Sequence, residues 1–345
     1  MSLLHPTDDI RPVFVLSTGR CGSTMVSNIL NTHPRVLSVS EFFSVTGLAA
    51  FRRRKRSGQW MWRLFSRQNA ALRFQLQYEY EETLYPFDHP GARFTRADVP
   101  PIMCATLPHL TGHPEALYDE LEPVVRGFPK QPPADHYRQL FTWLCQRFNR
   151  DVWVERSGPS LMWGYTMLRQ FPEARVIHLY RDGRDTAMSM SRHHAFRMAV
   201  ASLRTSPIHL LKLLRHDRTW ETLMLWQSAI DRFVPFRRLP LDKLELADFG
   251  TFWSGLVEHS TRLFDRLPSE SVLNVKFEDI QADPESEIRR LIRFISPALE
   301  DDVWIQEASS IPQPTRSRFT QLERHEQTAL TEACRPGLEQ LGYSI

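Results

Sequence analysis

Two short runs and one carboxylate in this chain have residue types suited to holding a multiply charged anion and acting on it. In Thr18-Gly19-Arg20-Cys21-Gly22-Ser23-Thr24, the two glycines permit a tight turn, Arg20 supplies a positive charge, and Ser23 and Thr24 add hydroxyl donors. Backbone N–H groups exposed in such a turn, with a helix behind it, favour a bound phosphate or sulfate. The run is not a Walker A loop, because Gly22 rather than a lysine precedes the hydroxyl residue. In the second run, Tyr180-Arg181-Asp182-Gly183-Arg184-Asp185, Arg181 stands at the carboxyl end of an apolar stretch, where open α/β sheets bind ligands. Asp185 is the expected N-cap, and Ser189 lies one turn into the helix behind it, so that Arg181 and Ser189 can meet at one phosphate while Arg184 points elsewhere. The carboxylate is Glu41, directly behind a short apolar segment.

These residues need rigid elements to place them. Pro12-Val-Phe-Val-Leu-Ser17 is apolar and β-branched, the pattern of a strand buried on both faces. Met25, Val26, Ile29 and Leu30 follow at helical spacing, and Pro34 ends that helix. Val36-Leu-Ser-Val39 predicts a second strand ending just before Glu41. Val152-Trp-Val154 and Arg175-Val-Ile-His-Leu-Tyr180 predict two more, with helices over about 160–170 and, after Asp185, to about His194. A last strand is expected over 271–277, and Asp283-Pro284 makes an N-cap and first helical position for a helix carrying Ile288, Leu291, Ile292 and Ile295. Strands alternating with helices indicate a largely parallel sheet covered on both faces, an α/β fold. Two stretches differ in character. Residues 44–150 are rich in arginine, aromatics and proline, and 195–271 read as helical, with Leu210, Leu211, Leu214, Trp220, Leu223 and Trp226 apolar. One domain over 1–345, an α/β core at about 10–43, 151–194 and 272–345 with these two helical insertions, is the organisation expected.

Composition limits the function classes. A chain of 345 residues with 42% apolar and 24% charged residues can bury a core without staples. Its 43 basic and 40 acidic residues leave a net charge of +3, too balanced for a dedicated nucleic-acid binder. Within the basic set there are 38 arginines to 5 lysines, and arginine is the residue of bidentate contacts to phosphate and sulfate. The four cysteines, Cys21, Cys104, Cys145 and Cys334, form no CxxC pair, so neither a disulfide framework nor a cysteine zinc site is expected, and no metal is called for. No run approaches the roughly 18 apolar residues that span a bilayer, and no leader pattern is visible at residue 1, so a cytoplasmic protein is expected.

Taken together, the two runs resemble those of the sulfotransferases that use 3′-phosphoadenosine 5′-phosphosulfate. Residues 14–24 are similar to that family's 5′-phosphosulfate loop, and residues 180–189 to its 3′-phosphate motif. Val154-Glu-Arg-Ser157 resembles a strand end of the family's bacterial branch, and Val275-Lys-Phe-Glu-Asp-Ile280 an element near its C-terminal part. The resemblance implies a P-loop-NTPase-like architecture. It implies that Arg20, Cys21, Gly22, Ser23 and Thr24 hold the 5′-phosphosulfate and that Arg181 and Ser189 hold the 3′-phosphate. It makes Arg316 and Arg318, in Pro314-Thr-Arg-Ser-Arg-Phe319, candidates for a late basic loop over the nucleotide. That loop lacks the family's glycines and has Phe319 where a tryptophan is frequent.

The reaction so implied is in-line transfer of a sulfuryl group to a hydroxyl on a small molecule, glycan or lipid, with Arg20 stabilising the leaving group. Glu41 is the expected general base; His33, His109, His193 and His194 are rivals. The basic run over 52–56 reads as a solvated helix face or as a patch for an anionic acceptor or a membrane surface. Trp60, Trp62 and Phe65 are expected in the core, with an acceptor pocket as the alternative. A P-loop-type nucleotide kinase and a non-catalytic nucleotide-binding protein are the other functions considered.

Overall fold

The computed structural model describes residues 11–77, 82–204 and 241–345. Five strands, β1 (Val13–Ser17), β2 (Val36–Ser40), β3 (Val152–Arg156), β4 (Arg175–Tyr180) and β5 (Val272–Lys276), form one sheet in the order β2-β3-β1-β4-β5. The registers Ser40↔Arg156 and Val15↔Arg156 are parallel, as is Tyr180↔Lys276 between β4 and β5. Every residue of β1, β2 and β3 is buried, the apolar ones giving the runs seen in the sequence and the polar Ser38, Ser40, Glu155 and Arg156 being hydrogen-bonded. β1 is central, so the loop leaving its carboxyl end occupies the switch point where α/β sheets bind ligands.

The helices that matter below are α1 (Ser23–Thr32), α2 (Phe42–Thr46), α3 (Gly58–Ser66), α4 (Pro133–Phe148), α5 (Gly164–Gln170), α6 (Gly183–Arg192), α7 (His194–Arg204), α8 (Leu246–Phe264), α9 (Phe277–Ala282), α10 (Pro284–Ile295) and α11 (Arg324–Gln340). The expected elements are present, with Phe277 opening α9 instead of closing a strand. Asp283 caps α10 through Ser286 N at 3.2 Å, and Ile288, Leu291, Ile292 and Ile295 are buried as their spacing predicts.

The chain divides into two compact units, the cut passing along β1 and between Ser157 and Gly158. The first takes in the start of β1 with Thr24–Ser157 and Met167–Arg175. Its core is aromatic. Phe14 meets Trp153 at 5.7 Å and Phe171 at 5.1 Å, while Phe42 meets Phe65 at 5.2 Å and Phe141 at 5.1 Å. Such pairs contribute about 0.5–1.5 kcal/mol each beyond area burial. Trp62 and Phe65 of α3 are core residues here, 2% and 1% exposed. The second unit holds Leu16–Ser23, Gly158–Thr166 and the described residues after Arg175. Its core gathers Phe196, Phe249, Phe252, Trp253, Leu256, Leu330 and Leu338. Gly183 admits Trp253 against α6: a Cβ there would lie 2.3 Å from the indole.

Two expectations need correction. Residues 52–56 are not helical; they form an exposed irregular segment whose last residue bridges to Gln131. The cap of α6 is Asp182, which accepts from Arg184 N at 2.8 Å, not Asp185. The apolar positions predicted between Leu210 and Trp226 lie outside the described residues.

Candidate active site

In the second unit, β1 delivers the loop whose glycines were read as a turn. Gly19, Arg20 and Gly22 all have left-handed backbone, with φ of 78°, 58° and 89°. A turn in which left-handed residues adjoin residues of negative φ, as Gly22 does Cys21, points successive N–H groups to one side, the geometry of an anion nest. Neither glycine tolerates a side chain: a Cβ on Gly19 would meet the Phe196 ring at 2.6 Å, and one on Gly22 the Phe277 ring at 2.2 Å. The loop is anchored below. Ser17 N donates to Ser160 Oγ at 3.0 Å and Ser17 Oγ to the Gly158 carbonyl at 2.8 Å. Cys21 is fully buried, its Sγ 3.6 Å from the Leu179 carbonyl, and burial raises its pKa, so it acts as packing and leaves its backbone to the loop. Ser23 opens α1 and is buried, whereas Thr24 is exposed.

The second run comes to the same place. Arg20 Nε donates to Ser189 Oγ at 3.1 Å. Arg181 lies 4.6 Å over the ring of Phe277, the ring that also covers Gly22, and 4.0 Å from Asp185. Ser189 is thus joined to Arg20, and Arg181 reaches the loop through Phe277. Arg184 does point elsewhere: it pairs with Asp182 at 2.6 Å and lies 4.9 Å over Phe319. Asp185 has a different task from capping, accepting from Arg318 N at 2.9 Å and holding the late loop on α6. The Arg316 and Arg318 side chains of that loop are exposed. Glu278 of α9 accepts from Asp182 N at 3.0 Å and so holds the start of α6.

One member of this cluster was not anticipated. Arg192, in the last turn of α6, has its pKa lowered by burial and then by the charges of Arg318 and Arg20, with Asp185 opposing. Guanidinium groups that act on Arg192 in this way favour an anion beside it. The sequence signal was available, since Arg192 follows Ser189 by three residues and so shares its helix face.

In the first unit, Glu41 follows β2 with left-handed backbone, φ 57°, and opens α2. It is 2% exposed and forms an ion pair with Arg156, itself 4% exposed, whose guanidinium also donates to Ser40 Oγ at 2.7 Å. Beside it Glu155 is fully buried, and burial, reinforced by the Glu41 charge, pushes its pKa up to about 8. Ser157 Oγ donates to Glu155 Oε1 at 2.5 Å and accepts from Phe43 N and Ser44 N. The Glu-Arg-Ser run at the end of β3 is therefore the frame around Glu41, a role its sequence did not declare.

The histidines are placed differently. His109 Nε2 sits 3.3 Å from both Ser27 Oγ and Ser38 Oγ, and burial lowers its pKa to about 4, leaving it neutral. His33 Nδ1 accepts from Arg35 N at 3.0 Å, and the His193 ring lies 5.4 Å from that of Phe196. The pKa of His194 is lowered by burial and then by Arg197. Among the described residues no group of three or more His, Cys, Asp or Glu could hold a metal ion, and no helix is long and apolar enough to cross a membrane.

Comparison with known proteins places this arrangement. The pattern of the Sulfotransferase family matches residues 12–238, including the stretch 44–150 that motifs alone left unassigned, and that of the Sulfotransferase domain matches 162–330. Solved structures with a similar course include three sulfotransferases. The sulfotransferase domain of the Synechococcus PCC 7002 olefin synthase is 15% identical, with TM-score 0.43 and 100% of both chains covered. The sulfotransferase domain from the curacin biosynthetic pathway is 14% identical, with TM-score 0.49 and coverage of 98% and 100%. A sulfotransferase from Mycobacterium avium is 16% identical, with TM-score 0.44 and coverage of 98% of this chain and 79% of that one. No curated protein matches the chain. With the family pattern running through the loop after β1, the helix after β4 and the Glu41 segment alike, the chain belongs to the sulfotransferase family, enzymes of sulfonate transfer.

Proposed function

We propose that residues 1–345 form one catalytic domain that transfers the sulfonate of 3′-phosphoadenosine 5′-phosphosulfate to a hydroxyl of a small-molecule, glycan or lipid acceptor. The observation that carries this reading is the hydrogen bond from Arg20 to Ser189, which joins the two anion-binding runs. The residues fit the nucleotide: the positive-φ turn at Gly19 and Gly22 leaves backbone N–H groups for an anion, and the side chains beside it, Arg20, Ser23 and Thr24, are donors. When bound, the nucleotide supplies an activated sulfonate on a phosphate leaving group. Arg20, Gly22, Ser23, Thr24 and the Cys21 backbone hold the 5′ end, and Arg20 neutralises charge as it develops there. Arg181 and Ser189 hold the 3′-phosphate, with Arg192 beside them and Arg316 and Arg318 covering the site. Glu41 takes the proton of the acceptor hydroxyl, a contribution of about 10²–10⁴-fold, and Arg156 supplies its counter-charge. A nucleotide kinase would want the Walker lysine that Gly22 replaces. Incubating the chain with the nucleotide and a metabolite extract should give products heavier by one sulfonate group in mass spectrometry. An extract unchanged by added nucleotide would overturn the reading.

A further inference from the structure

The basic run at residues 52–56 is outside all of the above, and within the first unit it borders a cavity of about 210 Å³. Arg52, Arg53 and Arg169 line it, with Pro133, Asp135 and Arg138 at the start of α4. The segment carrying Arg52 and Arg53 is tied at both ends. Tyr137 Oη donates to the Ala50 carbonyl at 2.7 Å and Gln170 Nε2 to the Phe51 carbonyl at 2.9 Å. Beyond it, Arg56 and Gln131 exchange backbone hydrogen bonds at 2.7 and 2.9 Å, and His136 Nε2 lies 2.8 Å from the Arg56 carbonyl.

Arg52 and Arg53 bring positive charge to the cavity without a counter-charge among the described residues. Arg138 is matched, reaching Asp135 at 3.1 Å and Glu173 at 2.6 Å, which accounts for the single carboxylate of the lining. Neither Arg52 nor Arg53 forms an ion pair or hydrogen bond among the described residues. Arg169 has its pKa lowered by burial and by the Arg53 charge beside it. α4 adds the positive end of a 16-residue helix that has no side-chain cap. Guanidinium forks at fixed positions suit a dianion of tetrahedral oxygens better than a lone carboxylate.

We propose that this cavity is a second anion site, distinct from the loop after β1, that takes a phosphomonoester group through Arg52, Arg53 and Arg169. Calorimetric titration of the full chain with inorganic phosphate tests it, in an Arg20→Ala background that removes a main contact of the first site. Phosphate binding should persist there and weaken at least tenfold when Arg53→Ala and Arg169→Ala are added. Both side chains lie at the surface, Arg169 only partly covered, so circular dichroism should be unchanged. Equal affinity with and without the added substitutions, or no binding in the Arg20→Ala chain, overturns the proposal. Vesicles of phosphatidylcholine with phosphatidic acid identify the source of the phosphate. Sedimentation lost with Arg53→Ala and Arg169→Ala assigns it to a lipid headgroup; phosphate binding without sedimentation assigns it to a soluble ester. None of these readouts uses turnover, so they stand apart from the test of sulfonate transfer.

Discussion

Glu41 and Arg156 face each other out of water, at 2% and 4% exposure, and that burial governs what substitution does. Removing one partner of such a pair strands the other charge and costs about 3–5 kcal/mol. Glu41→Gln should therefore lower the melting temperature as well as turnover, the latter by about 10²–10⁴-fold if Glu41 is the base. Titration with adenosine 3′,5′-bisphosphate separates the effects, since binding should survive where turnover does not. Near-normal turnover would remove Glu41 from the mechanism. Arg181 calls for a different comparison. A hydrogen bond to a charged group contributes about 1.5–3 kcal/mol. Arg181→Ala should weaken the bisphosphate by roughly ten- to a hundredfold while barely touching the analogue without a 3′-phosphate. Equal losses for the two ligands would count against its role.

At the scale of elements, the strand–loop–helix unit from β1 to α1 depends on what packs over it. Gly22→Ala adds a Cβ at 2.2 Å from Phe277 on left-handed backbone, so the ring must move. Strain of this kind costs about 1–3 kcal/mol. Thermal melts should show that loss, and the same change made in a Phe277→Ala background should cost less but not nothing, because φ at 89° remains unfavourable for alanine. No cost of Gly22→Ala in that background would mean that the ring alone imposes the glycine. The caps show how far local rules reach. Asp283-Pro284 identified the start of α10 because cap and first turn are neighbours in sequence. At α6 the sequence offers Asp182 and Asp185, and sequence alone does not choose: Asp185 is engaged by Arg318 N, from 133 residues away. Likewise residues 52–56 have helix-compatible types, but the run ends in a backbone bridge from Arg56 to Gln131, with His136 Nε2 2.8 Å from the Arg56 carbonyl.

For the molecule as a whole, buried titratable groups set opposing limits of pH. Glu155, raised from 4.5 to about 8 by burial, holds a proton in the fold that it loses when unfolded. Its contribution is complete below pH 4.5 and disappears as pH rises through about 8. His109 and His178, both lowered from 6.5 to about 4 by burial, run the other way: their contribution is complete above 6.5 and is lost as pH falls to about 4. Melting curves across pH should therefore fall at both ends. Glu155→Gln should flatten the alkaline side and leave the acid side, and an unchanged alkaline side would show that Glu155 is ionised in the fold. The arginine excess also resolves at this scale. Many arginines are spent on surface pairs such as Arg147–Glu120 at 2.7 Å and Arg289–Glu300 at 2.8 Å, which water screens. The net charge of +3 is thus compatible with strongly positive local clusters around Arg20 and Arg53.

What the chain's own order of residues determined was the α/β alternation, the glycine turn after β1, the position of Glu41 behind β2 and the course of α10. These follow from steric limits on φ and from side-chain periodicity, which act between neighbours. Only the tertiary structure decided that Ser189 meets Arg20 across 169 residues of chain, that Arg192 joins them, and that Arg156 and Glu155 enclose Glu41. It likewise gathered Arg52, Arg53 and Arg169 around one cavity. Those placements depend on strand register and on burial, which no local pattern encodes, because each is set by residues that become neighbours only when the sheet forms.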